Sequence, residues 1–145
     1  MAYLKRGNSI VKGALDYEQG IYVPTHATDG GSTTRTQNTL GYTKNGGVVH
    51  VYGSIVYSAS SMSGTWTISL PFTAHTDSAN ASDIWAGAIG SYAAPFNSRT
   101  MLIWRINGGG TTMAVYGSGD NQAYTAALPD ADSEYFFQVT YMTDA

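Results

Sequence analysis

The chain has 145 residues, of which 12% are charged and 43% hydrophobic, and its formal net charge at pH 7 is −3. This length fits one globular domain that can bury a hydrophobic core, and the absence of cysteine excludes disulfides and cysteine-ligated metals. Seven Lys and Arg residues in total are few for neutralising phosphates, so we expect no nucleic-acid partner.

Composition predicts an all-β protein. Thr, Val, Ile, Tyr, Phe and Trp, which favour strands, total 51 residues, whereas the helix-favouring Leu, Met, Glu, Gln, Lys and Arg total 24. The long uncharged span from Asn45 to Thr76 is interrupted by Gly, Ser and Thr, so no membrane helix and no membrane partner are expected.

The first fifteen residues differ from the rest in being basic and apolar. They lack an apolar core of signal-peptide length, so no secretion signal is predicted. We interpret residues 1–15 as an N-terminal arm and residues 16–145 as one antiparallel β-sandwich of the jelly-roll type, with about eight strands. The alternative for the arm is an ordinary edge strand of the same domain.

Alternation of apolar and polar residues locates the strands. One set of residues in a long strand is predicted to face the core and alternates with an outward set that includes His50 and Tyr52; the inward set is Val49, Val51, Gly53, Ile55 and Tyr57. In a second strand, Trp66, Ile68 and Leu70 are predicted to face inward, and hydroxyl side chains occupy the other face. The predicted strands, in chain order, are Tyr17–Val23, Thr39–Thr43, Val48–Ser58, Thr65–Leu70, Asp83–Ser91, Thr100–Asn107, Thr111–Gly117 and Glu134–Met142.

Turn signals support antiparallel pairing. The segments Asn45–Gly47 and Asn107–Gly110 supply glycines that tolerate the positive φ of tight hairpins. The stretch Thr25–Gln37 is rich in Thr, Ser and Gly and has few apolar residues, so it is predicted to be a surface loop.

Residues that could carry catalysis are sparse. His26, His50 and His75 are scattered and lack the spacing of a zinc motif, so no cofactor or metal is expected; the alternative is a metal site formed by His75 with Asp77 and Asp83. Asp16 and Glu18 would share one face of a strand, as a glycosidase pair could, but capping of backbone amides or pairing with an arginine is the favoured interpretation. No Gly-x-Ser-x-Gly elbow is present, and the expected protein is not an enzyme.

Aromatic residues form the remaining functional signal. Tyr92, Tyr116 and Tyr124 lie at or near predicted loops and are candidate glycan-binding residues, because flat amphipathic rings suit sugar stacking. Such rings equally suit protein interfaces, and composition does not choose between the two.

Four segments together resemble a domain that recurs in virion proteins of tailed bacteriophages, often at the ends of tail fibres and spikes. They are Asp16–Thr25 (DYEQGIYVPT), Gly41–Val49 (GYTKNGGVV), Ile68–Phe72 (ISLPF) and Tyr135–Tyr141 (YFFQVTY), and they occur in the family's order. The matching residues, to which the resemblance assigns a structural role, are Asp16, Tyr17, Glu18, Gly20, Pro24, Tyr42, Lys44, Leu70, Pro71 and Phe72.

The resemblance implies a jelly-roll sandwich, a homotrimer and carbohydrate binding, and it transfers no catalytic residue. Because Met1 precedes the first motif by only fifteen residues, no stalk is expected, and the favoured reading is a capsid decoration protein that forms trimers on the outer head surface. Its arm would dock on the major capsid protein or another virion protein through Leu4, Lys5, Arg6, Ile10, Val11, Lys12 and Leu15. The alternative is a receptor-binding module of a tail or head fibre that binds host-surface carbohydrate.

Overall fold

The computed structural model describes residues 5–6, 9–10, 16–76, 84–92, 101–119 and 123–144. Side chains are described from residue 16 onward, except that of Ile84. The described residues form strands and connecting turns with no helix, and therefore with no helix long and apolar enough to cross a bilayer.

Thirteen strands are formed in the described ranges, and every pairing between them is antiparallel. They are β1 (Lys5–Arg6), β2 (Ser9–Ile10), β3 (Tyr17–Tyr22), β4 (His26–Ala27), β5 (Thr33–Asn38), β6 (Leu40–Asn45), β7 (Val48–Ser60), β8 (Thr67–Ser69), β9 (Ile84–Tyr92), β10 (Met101–Asn107), β11 (Thr112–Ser118), β12 (Thr125–Ala126) and β13 (Ser133–Met142). The predicted all-β class is confirmed, and the predicted number of strands, about eight, is too low.

Eleven of these strands belong to one curled antiparallel sheet, a half-barrel, in the order β3-β6-β7-β13-β9-β10-β11-β8-β4. Strand β5 adds to β7, and β12 adds to β11. The strands β1 and β2 pair with each other and not with this sheet. The sheet turns at β9, because residues 84–89 pair with β10 whereas residues 90–92 pair with β13.

The long strand β7 shows why the sheet curls. Val49, Val51, Ile55 and Tyr57 are fully buried, as the alternation predicts. Between the two pairs lies Gly53, where β7 changes its neighbour from β6 to β5. Its φ of +137° favours glycine, and a Cβ there would lie 3.0 Å from Leu40 Cδ2. The bend therefore depends on a residue without a side chain.

The predicted loop Thr25–Gln37 is wrong in its greater part. It contains β4 and most of β5, and β5 pairs with β7 from Thr33 opposite Ser60 to Asn38 opposite Ile55. Its sequence, TTRTQN, contains no apolar residue, so hydrophobic periodicity gives no strand signal there. Pairing with β7 imposes the strand on β-branched threonines that tolerate it.

The core lies between the two halves of the curled sheet. Trp66, predicted to face inward, is fully buried, and its ring makes edge contacts with Tyr57, Tyr135 and Phe137 at centroid distances of 5.5, 5.1 and 6.4 Å. Ile68 is fully buried as predicted, and Leu70 packs against the core. Edge-to-face aromatic packing of this kind adds to the stabilisation from buried area.

One histidine enters this core as a neutral group. Asn38 donates through Nδ2 to the Pro24 carbonyl (3.0 Å), so its Oδ1 accepts from Nε2 of His26 (2.7 Å). His26 Nδ1 then carries no proton and accepts from the Tyr57 hydroxyl (2.8 Å) and from Trp66 Nε1 (3.4 Å). Burial lowers the pKa of His26 to about 4, which keeps the ring uncharged at neutral pH.

Candidate functional site

Five of the ten residues that carry the resemblance pack together with Tyr22 and Tyr141 at the β3–β6 end of the sheet. Antiparallel pairing of β3 with β6 sets Glu18 opposite Lys44 and Gly20 opposite Tyr42. We call the group the motif cluster, and it consists of Asp16, Glu18, Tyr22, Tyr42, Lys44, Phe72 and Tyr141. All four of the quoted segments contribute to it.

An ion pair lies at the centre of the motif cluster. Lys44 is 4% exposed, and its Nζ donates to Asp16 Oδ2 at 2.9 Å and lies 5.8 Å from the centre of the Phe72 ring. The alkyl stem of Lys44 therefore packs inside while its ammonium group reaches a half-exposed carboxylate. The predicted arginine partner for the acidic pair is wrong, since the partner of Asp16 is Lys44.

Tyrosines connect the ion pair to the rest of the motif cluster. The Tyr42 hydroxyl donates to Glu18 Oε1 at 2.6 Å, which raises the pKa of Tyr42. The Tyr42 ring makes edge contacts with Phe72 at 5.3 Å and with Tyr22 at 6.3 Å. A Cβ on Gly20 would lie 2.9 Å from the Tyr42 hydroxyl, so the ring occupies the space that the missing side chain leaves.

The buried Tyr141 joins β13 to the segment after β8. Its hydroxyl donates to the Phe72 carbonyl (2.9 Å) and accepts from the Phe72 amide (3.2 Å), and burial raises its pKa to about 12. Tyr22 similarly donates to the Ser69 carbonyl (3.3 Å). Both carboxylates of the Asp16 and Glu18 pair are thus held by neighbouring side chains, and the motif cluster has the arrangement of a structural element.

The remaining motif residues surround this group without joining it. Pro24 is buried and its carbonyl accepts from Asn38, whereas Leu70 and Pro71 are half-buried. Tyr17 is 59% exposed, and its hydroxyl donates to Gln19 Oε1 at 2.8 Å. Tyr17 therefore belongs to the opposite side of the sheet.

That opposite side presents an exposed apolar surface, which we call the outer face. It lies on β3, β7 and β13 and consists of Tyr17, Ile21, Val48, Tyr52, Phe136 and Met142, which are between 42% and 77% exposed. Between these residues lie polar side chains without formal charge, such as Gln19, Thr43 and Gln138. Glu134 is the first charged side chain met beyond Phe136 along the outward positions of β13.

Glycines shape the outer face. A Cβ on Gly41 would lie 2.6 Å from Tyr52 Cε2, so the Tyr52 ring lies over bare backbone, and Gly90 similarly faces the Phe136 ring. A shallow groove of about 610 Å³ runs beside these rings, with Gln37, Ser54 and Gln138 at its margin. Gln37 Nε2 donates to Ser54 Oγ at 2.8 Å.

His50 lies on the outer face, as predicted. Its ring stacks on Tyr52 with centroids 5.9 Å apart and planes inclined by 28°, and Nδ1 lies 2.9 Å from the Thr140 hydroxyl. The stacked pair holds the Tyr52 ring against the sheet. Sequence reasoning placed Tyr52 outside the core by alternation but assigned it no role, and it did not single out Phe136.

The structure brings together two of the three candidate glycan-binding tyrosines. Tyr116 and Tyr124 line one pocket of about 190 Å³ with Ile103 and Arg105, which we call the tyrosine pocket. Pairing of β10 with β11 sets Ile103 opposite Tyr116, and the Tyr124 hydroxyl donates to the Met101 sulfur at 3.4 Å. Arg105 was not predicted as a site residue; its alternation with the buried Trp104 and Ile106 indicates that it faces outward.

The third tyrosine lies elsewhere. Tyr92 is 70% exposed and pairs with Glu134 at the junction of β9 and β13, next to the outer face. The three candidate tyrosines are therefore divided between two surfaces. Loop proximity in the sequence did not determine which strands these rings would share.

The arm residues are only partly described. Lys5 and Arg6 form β1, and Ile10 ends β2, whereas Leu4, Val11, Lys12 and Leu15 lie outside the described residues. Of the candidate metal ligands near His75, Asp77 and Asp83 also lie outside them. His75 pairs with Asp144, and no group of three or more His, Asp or Glu side chains suited to a metal occurs in the described ranges.

Comparison with known proteins gives no match to a family model, a curated protein or a solved structure. Any functional conclusion therefore depends on the two exposed surfaces and on the sequence motifs.

Proposed function

We propose that this chain is a structural protein of a bacteriophage virion, and specifically a capsid decoration protein that acts by binding on the outer head surface. The observation that carries the proposal is the outer face, where six large apolar side chains are exposed on three strands of one rigid sheet. An exposed surface with this many large apolar side chains, interspersed with uncharged polar ones, marks an interaction site. The occupant proposed for it is a second copy of the chain, in a trimer.

The chemistry of the outer face fits self-association. Burying a charged side chain between copies is costly unless it is paired, and the polar residues that lie between the apolar side chains of the outer face carry no formal charge. Tyrosine and phenylalanine are enriched at the centre of protein interfaces, where their rings bury large areas at low entropic cost.

The motif cluster supports the family resemblance on which the virion assignment depends. Four segments that are far apart in the chain contribute to one ion-paired and aromatic group. Residues that recur in a pattern for a structural reason should contact one another in this way. The finer fold proposed is a jelly-roll sandwich, with the two halves of the curled sheet on either side of Trp66 as its two layers.

The arm is proposed as the contact to the capsid. It contains β1 and β2, which pair only with each other among the described strands, and its Lys5, Arg6 and Lys12 would meet an acidic surface of the major capsid protein. Charge reversal at Lys5 and Arg6 should weaken capsid occupancy at low salt. Unchanged occupancy would contradict the electrostatic part of the proposal.

Two measurements test the decoration proposal. Quantitative mass spectrometry of particles that contain the chain should give a copy number close to that of the major capsid protein, whereas a few copies per particle would contradict it. In solution, light scattering should show a trimer that Tyr52→Lys dissociates. The matched control Tyr124→Lys changes an exposed tyrosine outside the outer face and should leave the trimer intact.

The second candidate function is binding of host-surface carbohydrate, as a receptor-binding module of a fibre or spike. The tyrosine pocket favours it, because the exposed Tyr124 and the half-buried Tyr116 line one small concavity. A glycan array probed with the intact protein and with Tyr116→Ala should lose its positive signals in the variant. An array without signal for the intact protein would contradict this function and leave the decoration proposal standing.

A further inference from the structure

We infer that the tyrosine pocket binds a sugar that carries a carboxylate, such as a uronic acid at the end of a surface polysaccharide. The inference rests on the second candidate function and specifies its ligand class. It is carried by Arg105, which lines the same pocket as Tyr116 and Tyr124.

The charge of the pocket has one sign. Among its lining residues, Arg105 is charged and no Asp or Glu is present, and no described carboxylate forms an ion pair with Arg105. A guanidinium in this state presents a planar set of donors that matches both oxygens of a carboxylate.

The strands hold this group in place relative to the rings. Ile103, Arg105 and Tyr116 lie on β10 and β11, the central strands of their half of the sheet, and alternate with the buried Trp104, Ile106 and Val115. Tyr124 comes immediately before β12, which pairs with β11 through Tyr116 opposite Ala126. The backbone of three of the four lining residues is therefore set by a paired, well-packed sheet.

Size restricts the ligand to a single ring. The volume of about 190 Å³ is below the roughly 300 Å³ at which pockets begin to hold drug-sized molecules. A pyranose could stack its apolar face on one tyrosine, while its carboxylate meets Arg105 and its hydroxyls meet the phenol oxygens. Ile103 contributes an apolar side chain to the lining of the pocket.

The test uses two sugars that differ only in the carboxylate, methyl glucuronide and methyl glucoside, titrated into the intact protein and followed by amide chemical shifts. We expect the affinity for the glucuronide to be about tenfold higher than that for the glucoside, or more, as one charge-assisted hydrogen-bonded pair would produce. Added salt should lower the affinity for the glucuronide. Arg105→Gln should remove the difference in affinity between the two sugars. The matched control Arg35→Gln changes another arginine of the sheet and should preserve it.

Each other outcome is decisive. Equal affinity for the two sugars in the intact protein would overturn the carboxylate inference and leave carbohydrate binding in place. Absence of binding for both sugars at millimolar concentration would overturn the inference together with the second candidate function. Tyr124→Ala should lower the affinity for both sugars to the same extent. If it changed neither affinity, the assignment of the binding site to this pocket would be wrong.

Discussion

The motif cluster and the outer face lie on opposite sides of the same strands, and they differ in every property that matters for function. On β3, Glu18 and Tyr22 point into the motif cluster, whereas Tyr17 and Ile21 point outward, and Ile21 is 77% exposed. The inward residues are satisfied by one another through the Lys44–Asp16 pair and the tyrosine hydroxyls. Among the described residues, nothing forms a covering layer over the outward apolar side chains.

This difference teaches that the sequence pattern and the proposed interaction surface are separate features. A motif recognised in the sequence marks residues that hold the fold, because a packed ion pair with aromatic neighbours tolerates few substitutions. A binding surface needs exposure instead, and it can change its residues as its partner changes. Substitutions on the two sides should therefore separate stability from association.

The largest expected effect comes from Tyr141→Ala in the motif cluster. The residue is 1% exposed and bonds both polar groups of the Phe72 peptide unit, so we expect the free energy of unfolding to fall by about 3–5 kcal/mol. Phe136→Ala, which changes an aromatic residue of the same strand on the outer face, should cost below about 1 kcal/mol. Urea denaturation measures the free energy of unfolding of both variants. Equal losses would contradict the difference proposed between the motif cluster and the outer face.

Two histidines, one bonded to the core residues Tyr57 and Trp66 and one on the outer face, allow buried and exposed groups to be compared by pH. The pKa of His26 is lowered from 6.5 to about 4 in the folded protein, so the unfolded chain takes up its proton first as the pH falls. The contribution of His26 is therefore fully present above about pH 6.5 and is lost by pH 4, which we expect to reduce stability by about 2 kcal/mol. The plot of unfolding free energy against pH should become flatter across this range in His26→Gln.

The control for the pH experiment is His50→Gln, on the outer face. It removes an outward ring that stacks on Tyr52, and the slope of stability against pH between 4 and 6.5 should match that of the unchanged protein. A flattened profile in His50→Gln, or an unflattened one in His26→Gln, would show that the buried network is not the source of acid sensitivity.

Lys44 separates packing from charge within the motif cluster. Lys44→Ala removes both the stem beside Phe72 and the ion pair with Asp16, and we expect a loss of about 1–2 kcal/mol. Lys44→Met keeps most of the stem, and because Asp16 stays half-exposed to water the loss should be below about 1 kcal/mol. Thermal unfolding of the two variants measures both losses of stability. A larger loss in Lys44→Met than in Lys44→Ala would contradict the stabilising role assigned to the packing of the stem.

The smallest effect on stability is expected for Gly41→Ala on the outer face. The new Cβ would lie 2.6 Å from Tyr52 Cε2, and the exposed ring can swing away, so the cost should be a few tenths of a kcal/mol to about 1 kcal/mol. Displacing Tyr52 should nevertheless weaken the proposed trimer. A trimer of unchanged affinity, measured by sedimentation at decreasing concentration, would remove Tyr52 from the interface.

Several features of the fold could be predicted from the sequence because they depend on neighbours along the chain. The alternation of Val49, Val51, Ile55 and Tyr57 predicted which side of β7 is buried, and burial confirms it. The Asn45–Gly47 turn was predicted from its glycines, and Gly46 adopts a φ of +57°. Such signals are local, since a hairpin turn and a period of two require no knowledge of distant strands.

What only the tertiary structure decided is which distant segments meet. β5 is a strand because β7 offers it a partner, and its polar sequence TTRTQN carries no periodicity that would reveal this. Asp16 pairs with Lys44 through the pairing of β3 with β6. Tyr124 joins Arg105 in one pocket through the pairing of β12 with β11. The sequence by itself determined an all-β chain and the inward side of its strands, because side-chain alternation is a property of each strand alone. The motif cluster, the outer face and the tyrosine pocket were decided by strand order and sheet curvature, because burial and proximity there depend on the packing of the whole sheet.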